Sequence, residues 1–473
     1  MKLRFFNTLS RQLQDFQPIT PGCAKMYTCG PTVYNFAHIG NFRAYSFEDL
    51  LRRTLEYAGL QVTQVMNLTD VDDKTIRDSR AASLPLRTFT EKYKKAFFDD
   101  LKTLNIESAE VYPAATDHIP EMIQMIEKLF EKGIAYQSAD GCVYFSIDKF
   151  PEYGKLARID RDNQRSGVRI KNDEYAKDSV ADFALWKARD DADGDVWWES
   201  PWGQGRPGWH IECSAMSMKY LGDSFDIHTG GIDNMFPHHE DEIAQSEGVT
   251  GKKWVNYWLH CDHLMVDGDK MSKSLGNFYT LRDLMSRGYT GREIRWVLIG
   301  THYRKKLNFT FGAVDQARDL LNKVDELVVR LQKAAGTGDA DIAGFIAGCK
   351  QSFENGIFDD LNISGAVAAL YELMKGANRR LDQNLLSAED AQKVLDCLKD
   401  FDRVFGCFDV DGAAARCAVQ EDFPAEVQAL AEQRAAARKA KDWAESDRLR
   451  DAIKALGYAV EDVPGGAWKL KKI

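Results

Sequence analysis

Residues 27–41 read YTCGPTVYNFAHIGN, and the rest of the chain is organised around this stretch. It reads as a strand, a Gly-Pro turn and the opening of a helix. Cys29 stands just before the turn as a potential metal ligand, and His38-Ile39-Gly40-Asn41 stands just after it. A helix N-terminus offers unpaired N–H groups and a partial positive charge, which suits phosphate. Gly40 has no side chain, so a flat ring such as adenine can approach the backbone there. Gly30 and Thr32, in the turn, join it as substrate- or nucleotide-binding candidates.

Outward from this stretch the pattern is that of an open α/β sheet. Residues 1–22 form an N-terminal strand and lead-in, and a strand over 25–28 is followed by a helix over 38–58. That helix carries Phe42, Tyr45, Phe47, Leu50, Leu51 and Leu55 near helical spacing and stops at Gly59. A second strand, 61–67, runs into LTDVDDKTI, which gathers Thr69, Asp70, Asp72 and Asp73 at a strand's carboxyl end, where such sheets place ligands. A helix covers 92–104. Between 112 and 198 the character changes: a helix at 119–132, strand-like pieces at 134–137 and 141–145, then a polar stretch over 158–177. This reads as an insertion between two halves of a nucleotide-binding sheet. The αβ pattern resumes with a helix at 211–221, a strand at 225–229, a Gly-Gly turn, a helix at 237–247 and a strand at 257–264.

Beyond Asn308 the chain is mostly helical: 313–335, then an Ala/Leu-patterned bundle over 339–405. A cysteine-bearing linker of low regularity over 406–423 follows. A last helical segment starts at Pro424, with Asp442 as an internal cap and Gly457 closing it, and a small hairpin spans 458–463 and 467–470. The expected units are 1–111 and 201–308 (halves of a Rossmann-like α/β domain), 112–200 (insertion), 309–405 (helical bundle), 406–423 (linker) and 424–473 (C-terminal module).

The net charge of −10 excludes a generic nucleic-acid coat but not a local RNA-binding patch. The segment 424–473 has ten Lys and Arg against eight Asp and Glu, so it is mildly basic while the remainder is acidic. No apolar run is long enough to span a bilayer, and no secretory signal is evident. Nine cysteines, an odd number with no closely spaced pair, read as free thiols or metal ligands in a reducing compartment. A cytosolic monomer without membrane contact is expected.

The cluster His38-Ile39-Gly40-Asn41 resembles the first signature of class I aminoacyl-tRNA synthetases, and Lys270-Met271-Ser272-Lys273-Ser274 resembles the second. With Cys29 upstream and GWHIECS and FPHHEDE between them, the chain is similar to the cysteinyl-tRNA synthetase family over almost its whole length. Asn41 stands where many class members have a second histidine, as is typical of the cysteine-specific branch.

The resemblance implies a zinc site of Cys29, Cys213, His238 and Glu242. His238 and Glu242 are four apart and share a helix face. Two thiolates and an imidazole favour Zn²⁺, with a carboxylate completing a tetrahedron. His239, Glu240 and Asp241 are rival ligands or supporting groups. A plainer reading makes the cysteines small hydrophobes and the HHEDE run a solvated helix face. A hydrophobic pocket separates near-isosteres by only roughly 1–3 kcal/mol, so a zinc ion taking the substrate thiolate would distinguish cysteine from serine without an editing domain.

His38, Asn41, Lys270 and Lys273 are the expected catalytic donors for ATP, which is used with Mg²⁺. His38 could instead merely cap its helix, and the lysine signature could be an exposed basic turn. Met271, Ser272 and Ser274 belong to the loop that would close over the triphosphate. Thr69, Trp209, Gly231, Asp233 and Val266 are substrate or nucleotide candidates. Arg434, Arg438, Lys439, Lys441, Trp443, Arg448 and Arg450 combine cations with an aromatic, which suits an exposed RNA loop. The expected activity is ligation of L-cysteine to tRNA(Cys) through cysteinyl-adenylate. A cysteine:amino-sugar ligase of mycothiol synthesis and a non-catalytic RNA-binding paralogue are the alternatives.

Overall fold

The computed structural model describes residues 2–159, 182–272, 275–418, 424–463 and 467–472. An N-terminal hairpin, β1 (Arg4–Asn7) and β2 (Gln12–Asp15), precedes β3 (Cys23–Thr28). Then come α1 (Ile39–Tyr57), β4 (Gln61–Met66), α2 (Asp73–Ala81) and α3 (Leu86–Thr103). Helix α3 starts earlier than the expected residue 92, because Pro85 sets its first turn.

The insertion contributes α4 (Ile119–Glu131) and strands β5 (Ala135–Gln137) and β6 (Val143–Phe145). It also supplies β7 (Phe183–Ala188) and β8 (Gly205–Pro207), and the four strands pair antiparallel in that order. The polar stretch expected over 158–177 lies almost wholly outside the described residues.

The chain returns through α5 (Trp209–Leu221), β9 (Phe225–Gly231), α6 (His238–Thr250) and β10 (Val255–Cys261). The four strands β10-β9-β3-β4 form one parallel sheet. Between β9 and β3 the strand order reverses, and a crevice opens at such a switch point beyond the strands' carboxyl ends. The expected strand 257–264 divides. Its end belongs to β11 (Leu264–Val266), which pairs with β12 (Asp269–Lys270) and β13 (Leu307–Phe309) in a separate small sheet.

Helices α7 (Leu281–Ser286) and α8 (Gly291–Ile299) follow the lysine signature. Helices α9 (Phe311–Gln332), α10 (Ile342–Ile357), α11 (Ile363–Asp382) and α12 (Ala388–Phe405) make the bundle.

Helix α1 is the central fixture. Its apolar Phe42, Tyr45, Phe47, Leu50, Leu51 and Leu55 are all buried, and so are the charged Arg43, Glu48, Asp49, Arg52 and Arg53. Arg43 donates to the carbonyls of Leu298, Thr301 and His302, which ties α1 to the end of α8. Asp49 accepts from Arg53 at 2.8 Å and is ion-paired with Arg295 at 2.5 Å, and Arg295 Nε donates to the Phe405 carbonyl at 2.7 Å. A buried charge is stable only when it is paired and hydrogen-bonded, as here. The start of α1 therefore cannot shift independently of α8 and the end of the bundle.

Residues 409–473 form a second compact unit. The stretch expected to be irregular holds a short helix, α13 (Ala413–Ala418). Helix α14 (Ala425–Lys439) starts after Pro424, and α15 (Trp443–Ala455) is capped by Asp442, which accepts from the Glu445 N–H. Strands β14 (Tyr458–Val463) and β15 (Ala467–Lys472) close the unit as an antiparallel hairpin.

Candidate functional site

Cys29 follows β3 directly, and its N–H reaches the Thr229 carbonyl of β9 at 3.4 Å, so it sits on the switch point. Helices α5 and α6 bring Cys213, His238 and Glu242 to the same place. One donor atom from each of Cys29, Cys213, His238 and Glu242 falls within 4.8 Å of the others. A second set, Cys29, His228, His239 and Glu242, meets the same limit. Cys213, His228, His238, His239 and Glu242 are buried, while Cys29 keeps partial exposure.

The two oxygens of Glu242 separate these sets. Oε2 is taken by His228 Nε2 at 2.9 Å. Oε1 lies 2.9 Å from His238 Nε2, yet it makes no hydrogen bond. A buried carboxylate oxygen without a bond is costly unless something else satisfies it. His239 is engaged on both ring nitrogens: Nε2 faces the Cys29 sulfur at 3.3 Å, and Nδ1 meets His260 Nε2 at 2.8 Å. His260 in turn rests on the Thr8 hydroxyl at 2.9 Å.

The rival acids each have a structural occupation. Glu240 accepts the N–H groups of Gly154, Leu156 and Ala157 at 2.8–2.9 Å. Asp241 accepts the Tyr153 hydroxyl at 2.5 Å and sits 3.2 Å from His210 Nε2. His210 Nδ1 meets His238 Nδ1 at 2.8 Å. A chain of contacts thus runs from Tyr153 through Asp241 and His210 to His238. The HHEDE run is buried throughout, not a solvated face. Trp209 is 45% exposed and stacks on the His238 ring at 4.4 Å.

Electrostatics make the cluster a place for positive charge. A hydrogen bond from Cys29 brings the Cys213 thiol down to about 6. The same contact, with burial, pushes Cys29 well up. Burial raises the Glu242 carboxyl, but His238 and His228 bring it down to about 2. Burial works against charging His238, yet Glu242 and Cys213 hold its imidazole well above its usual range. Two anionic groups therefore surround one protonated ring. A cation bound by thiolate, imidazole and carboxylate would displace that proton and satisfy the same anions, so the donor set fits zinc.

On the other side of the crevice, His38 is the N-cap of α1. Its Nδ1 accepts from the Asn41 N–H at 3.2 Å, and the Asn41 Oδ1 accepts from the His38 N–H at 3.1 Å. Both residues are thus helix caps. Burial lowers the His38 imidazole to about 4, so the ring is neutral near pH 7 and carries its proton on Nε2. Asp233 is close enough for its charge to act on His38. The lysine signature meets this helix end. The Ile39 N–H donates to the Tyr279 carbonyl at 3.0 Å, and a Cβ on Gly40 would stand 3.1 Å from Met271 Cε.

Lys270 is exposed at the end of β12, and Ser272 accepts the Leu275 N–H at 3.3 Å. Lys273 and Ser274 lie outside the described residues. Gly30 is packed against the Asn67 carbonyl, Thr32 bridges Thr69, and Thr69 donates to the buried Glu212 at 3.0 Å. Gly231 lies against Asp233, its would-be Cβ 2.4 Å from Oδ1. Val266 is a buried residue of β11 within the small sheet.

Sequence reasoning missed His228, His260 and Glu48. Glu48, fully buried on α1, accepts from Thr229 at 3.0 Å, and burial raises it to about 8. No spacing signal marks these three, because strand β9, strand β10 and helix α1 meet only in the folded sheet.

The family model described as "tRNA synthetases class I (C) catalytic domain" matches residues 15–319. A DALR domain matches 352–409, and a cysteinyl-tRNA ligase anticodon binding domain matches 420–468. A cysteine–tRNA ligase of Protochlamydia amoebophila is 50% identical over 99% of this chain and 98% of its own length. One from Brachyspira hyodysenteriae is 49% identical over 99% of both. Among solved structures, methionyl-tRNA synthetase of Mycobacterium tuberculosis with methionyl-adenylate aligns at TM-score 0.58 and 14% identity, over 81% of this chain and 89% of that one. This likeness carries the fold alone. With family models and relatives agreeing along its length, the chain belongs to the cysteine–tRNA ligases of class I.

Proposed function

We propose that the protein activates L-cysteine with MgATP to cysteinyl-adenylate and transfers it to the 3′-terminal adenosine of tRNA(Cys). In the first step a carboxylate oxygen of cysteine bonds to the α-phosphorus, and the bond to pyrophosphate breaks. In the second a ribose hydroxyl oxygen bonds to the carbonyl carbon, AMP leaves, and the hydroxyl proton passes to it. Neither nucleophile needs a strong base, so the residues contribute position and charge stabilisation. His38 Nε2–H, Lys270 and Lys273 are the donors to the phosphates. The mutual cap of His38 and Asn41 holds that imidazole at the end of α1.

Cys29, Cys213, His238 and Glu242 would hold zinc. When bound, the ion supplies a soft centre that takes the substrate thiolate and not serine's hydroxyl. The observation that carries this reading is Glu242 Oε1, buried without a hydrogen bond on the side of His238 and Cys213 rather than on that of His228. His210, accepting from His238 Nδ1, leaves Nε2 free as a ligand. Trp209 and Thr69 border the amino acid, while Gly30, Thr32, Gly40, Gly231, Asp233, Val266, Met271, Ser272 and Ser274 border the nucleotide.

The sheet of residues 1–111 and 201–308, the insertion 112–200, the bundle 309–405, the linker 406–423 and the module 424–473 are the working units of the enzyme. The last of them recognises the tRNA anticodon. Cys23, Cys29, Cys142, Cys213, Cys261, Cys349, Cys397 and Cys407 form no disulfide, which suits a monomer working in the reducing cytosol.

The test is ATP–pyrophosphate exchange and tRNA charging with cysteine, alongside zinc content, for wild type and Cys213→Ser. Zinc and activity lost together support the reading. Full activity in a zinc-free protein would overturn the selection mechanism. Adenylate without charging of any tRNA would point to the amino-sugar ligase.

A further inference from the structure

The crevice has a rim that neither the adenylation donors nor the zinc ligands use. The segment between Cys29 and His38 carries two rings, Tyr34 and Phe36, and three other elements supply partners. Lys74 of α2 lies over Tyr34 at 5.2 Å. Lys92 of α3 lies 5.6 Å from the Phe36 ring and 5.2 Å from that of Tyr93. Phe36 and Tyr93 meet edge-on at 5.4 Å, and the Arg282 guanidinium of α7 lies 4.6 Å from Phe36. Tyr34, Phe36 and Tyr93 are half-buried, while Lys74 and Lys92 are exposed.

The charge here is not consumed internally. Asp70 is held by Lys94 at 2.6 Å, Asp100 by Arg282 at 2.7 Å, and Asp73 by Arg206 and Lys187. Glu91, beside Lys92, is exposed. Lys74 and Lys92 make no ion pair or hydrogen bond among the described residues, and their only contacts of this kind are to ring faces.

The position matters as much as the chemistry. Phe36 is two residues before His38, so their Cα atoms are at most about 7.6 Å apart. Arg282 comes from the helix that follows the lysine signature. Ring faces and free ammonium groups therefore lie close to the helix end that carries His38. Half-exposed rings offer stacking planes to unpaired bases, and cations beside them neutralise phosphates.

We propose that Tyr34, Phe36 and Tyr93, with Lys74 and Lys92, seat the unpaired 3′ end of the tRNA substrate as its terminal ribose enters the crevice. The inference rests on the function proposed above and adds the surface that delivers the acceptor. Arg282 acts through Phe36, whose ring it steadies from its own anchor on Asp100 and the Ala96 carbonyl.

The test compares Lys74→Ala/Lys92→Ala and Phe36→Leu with wild type in two assays: ATP–pyrophosphate exchange without tRNA, and charging of a tRNA that wild type charges. Charging efficiency should fall roughly tenfold or more in each variant, with exchange unchanged. Lys74→Arg/Lys92→Arg should charge near the wild-type rate, which separates charge from folding. In competition binding, tRNA lacking its unpaired 3′ nucleotides should bind the variants and wild type alike. Variants that charge like wild type would overturn the proposal. So would exchange falling in step with charging, because the patch would then serve the nucleotide. Equal weakening of shortened and full tRNA would also overturn it, by placing the cations on the body of the tRNA. A wild type that charges no tRNA would strike the underlying function instead, so the two failures are distinguishable.

Discussion

The two sides of the crevice are built in opposite ways. On the thiol side, Cys213, His228, His238, His239 and Glu242 are buried, and the histidines around them are fixed by one another, by Asp241 and by the Thr8 hydroxyl. On the phosphate side, Lys270 is exposed, and its loop is tied by a few contacts such as Asn277 Oδ1 accepting the Ser272 N–H at 2.8 Å. Under the proposed function, the difference follows from the ligands. Distinguishing sulfur from oxygen requires donors at fixed spacing in a dry site. Triphosphate must enter and pyrophosphate must leave, so its donors need room to open and close. The two sides should therefore respond differently to substitution: one loses metal, the other loses rate.

Cys213→Ser should have the largest effect. Structural zinc sites in small proteins bind with about 10–16 kcal/mol shared among four ligands, so one thiolate is worth roughly 2.5–4 kcal/mol. Zinc affinity should fall by a factor of about 10²–10³, with cysteine-dependent exchange following it. Metal retained at full occupancy would shift the ligand set to Cys29, His228, His239 and Glu242, and His228→Ala would then be the damaging change.

Much of this was legible in the sequence, and the limits were physical. The strand-turn-helix of residues 27–41, the insertion and the late helices follow from periodicity and punctuation. The i,i+4 pair His238–Glu242 was readable because a helix face is a local object. His228, Glu48 and His260 were not, because their roles arise from strand order. The strand expected over 257–264 was over-extended, since an apolar run looks continuous where the chain leaves one sheet for another. The sequence leaves His38 as either a cap or a donor. The fold makes it a cap, and that cap sets the tautomer its proposed chemistry needs.

Lys270→Ala tests the open side. Exchange should fall about 10²-fold, as for loss of one charge-stabilising donor, while zinc content stays at the wild-type level. A parallel loss of metal would erase the contrast between the sides. His38→Asn belongs with it. Asparagine is a good N-cap, so stability at pH 7 should be kept while exchange falls. The acid response should change as well. Burial sets the folded His38 near 4, below its unfolded value of 6.5, so the folded state binds fewer protons. Wild type should therefore lose stability as pH falls from about 6.5 towards 4, and His38→Asn should lose less over that window.

A smaller effect on the buried side should come from His210→Ala. Its ring orients His238 without being a proposed ligand. Zinc affinity should drop about 10–100-fold, read by competition with a chelator, with ATP affinity unchanged. If affinity holds, His238 is oriented by the stacking of Trp209 alone.

Gly40→Ala should give the smallest effect, and its two parts have opposite signs. Alanine in the first turn of α1 restricts the unfolded chain and should stabilise the helix by roughly 0.5–1 kcal/mol. The added Cβ would meet the His38 ring at 3.0 Å and Met271 Cε at 3.1 Å. Met271 ends a flexible side chain in an open loop and can yield, whereas His38 is locked by its cap with Asn41. The crowding therefore falls on the imidazole and on the space beside the helix end. KM for ATP should rise a few-fold while the melting temperature holds or increases slightly, a split that simple damage to folding does not produce. If ATP affinity and melting temperature fall together, the helix end is tighter than the spacing at Gly40 implies. If neither moves, the nucleotide does not approach the backbone there, and only the side chains of the open face handle it.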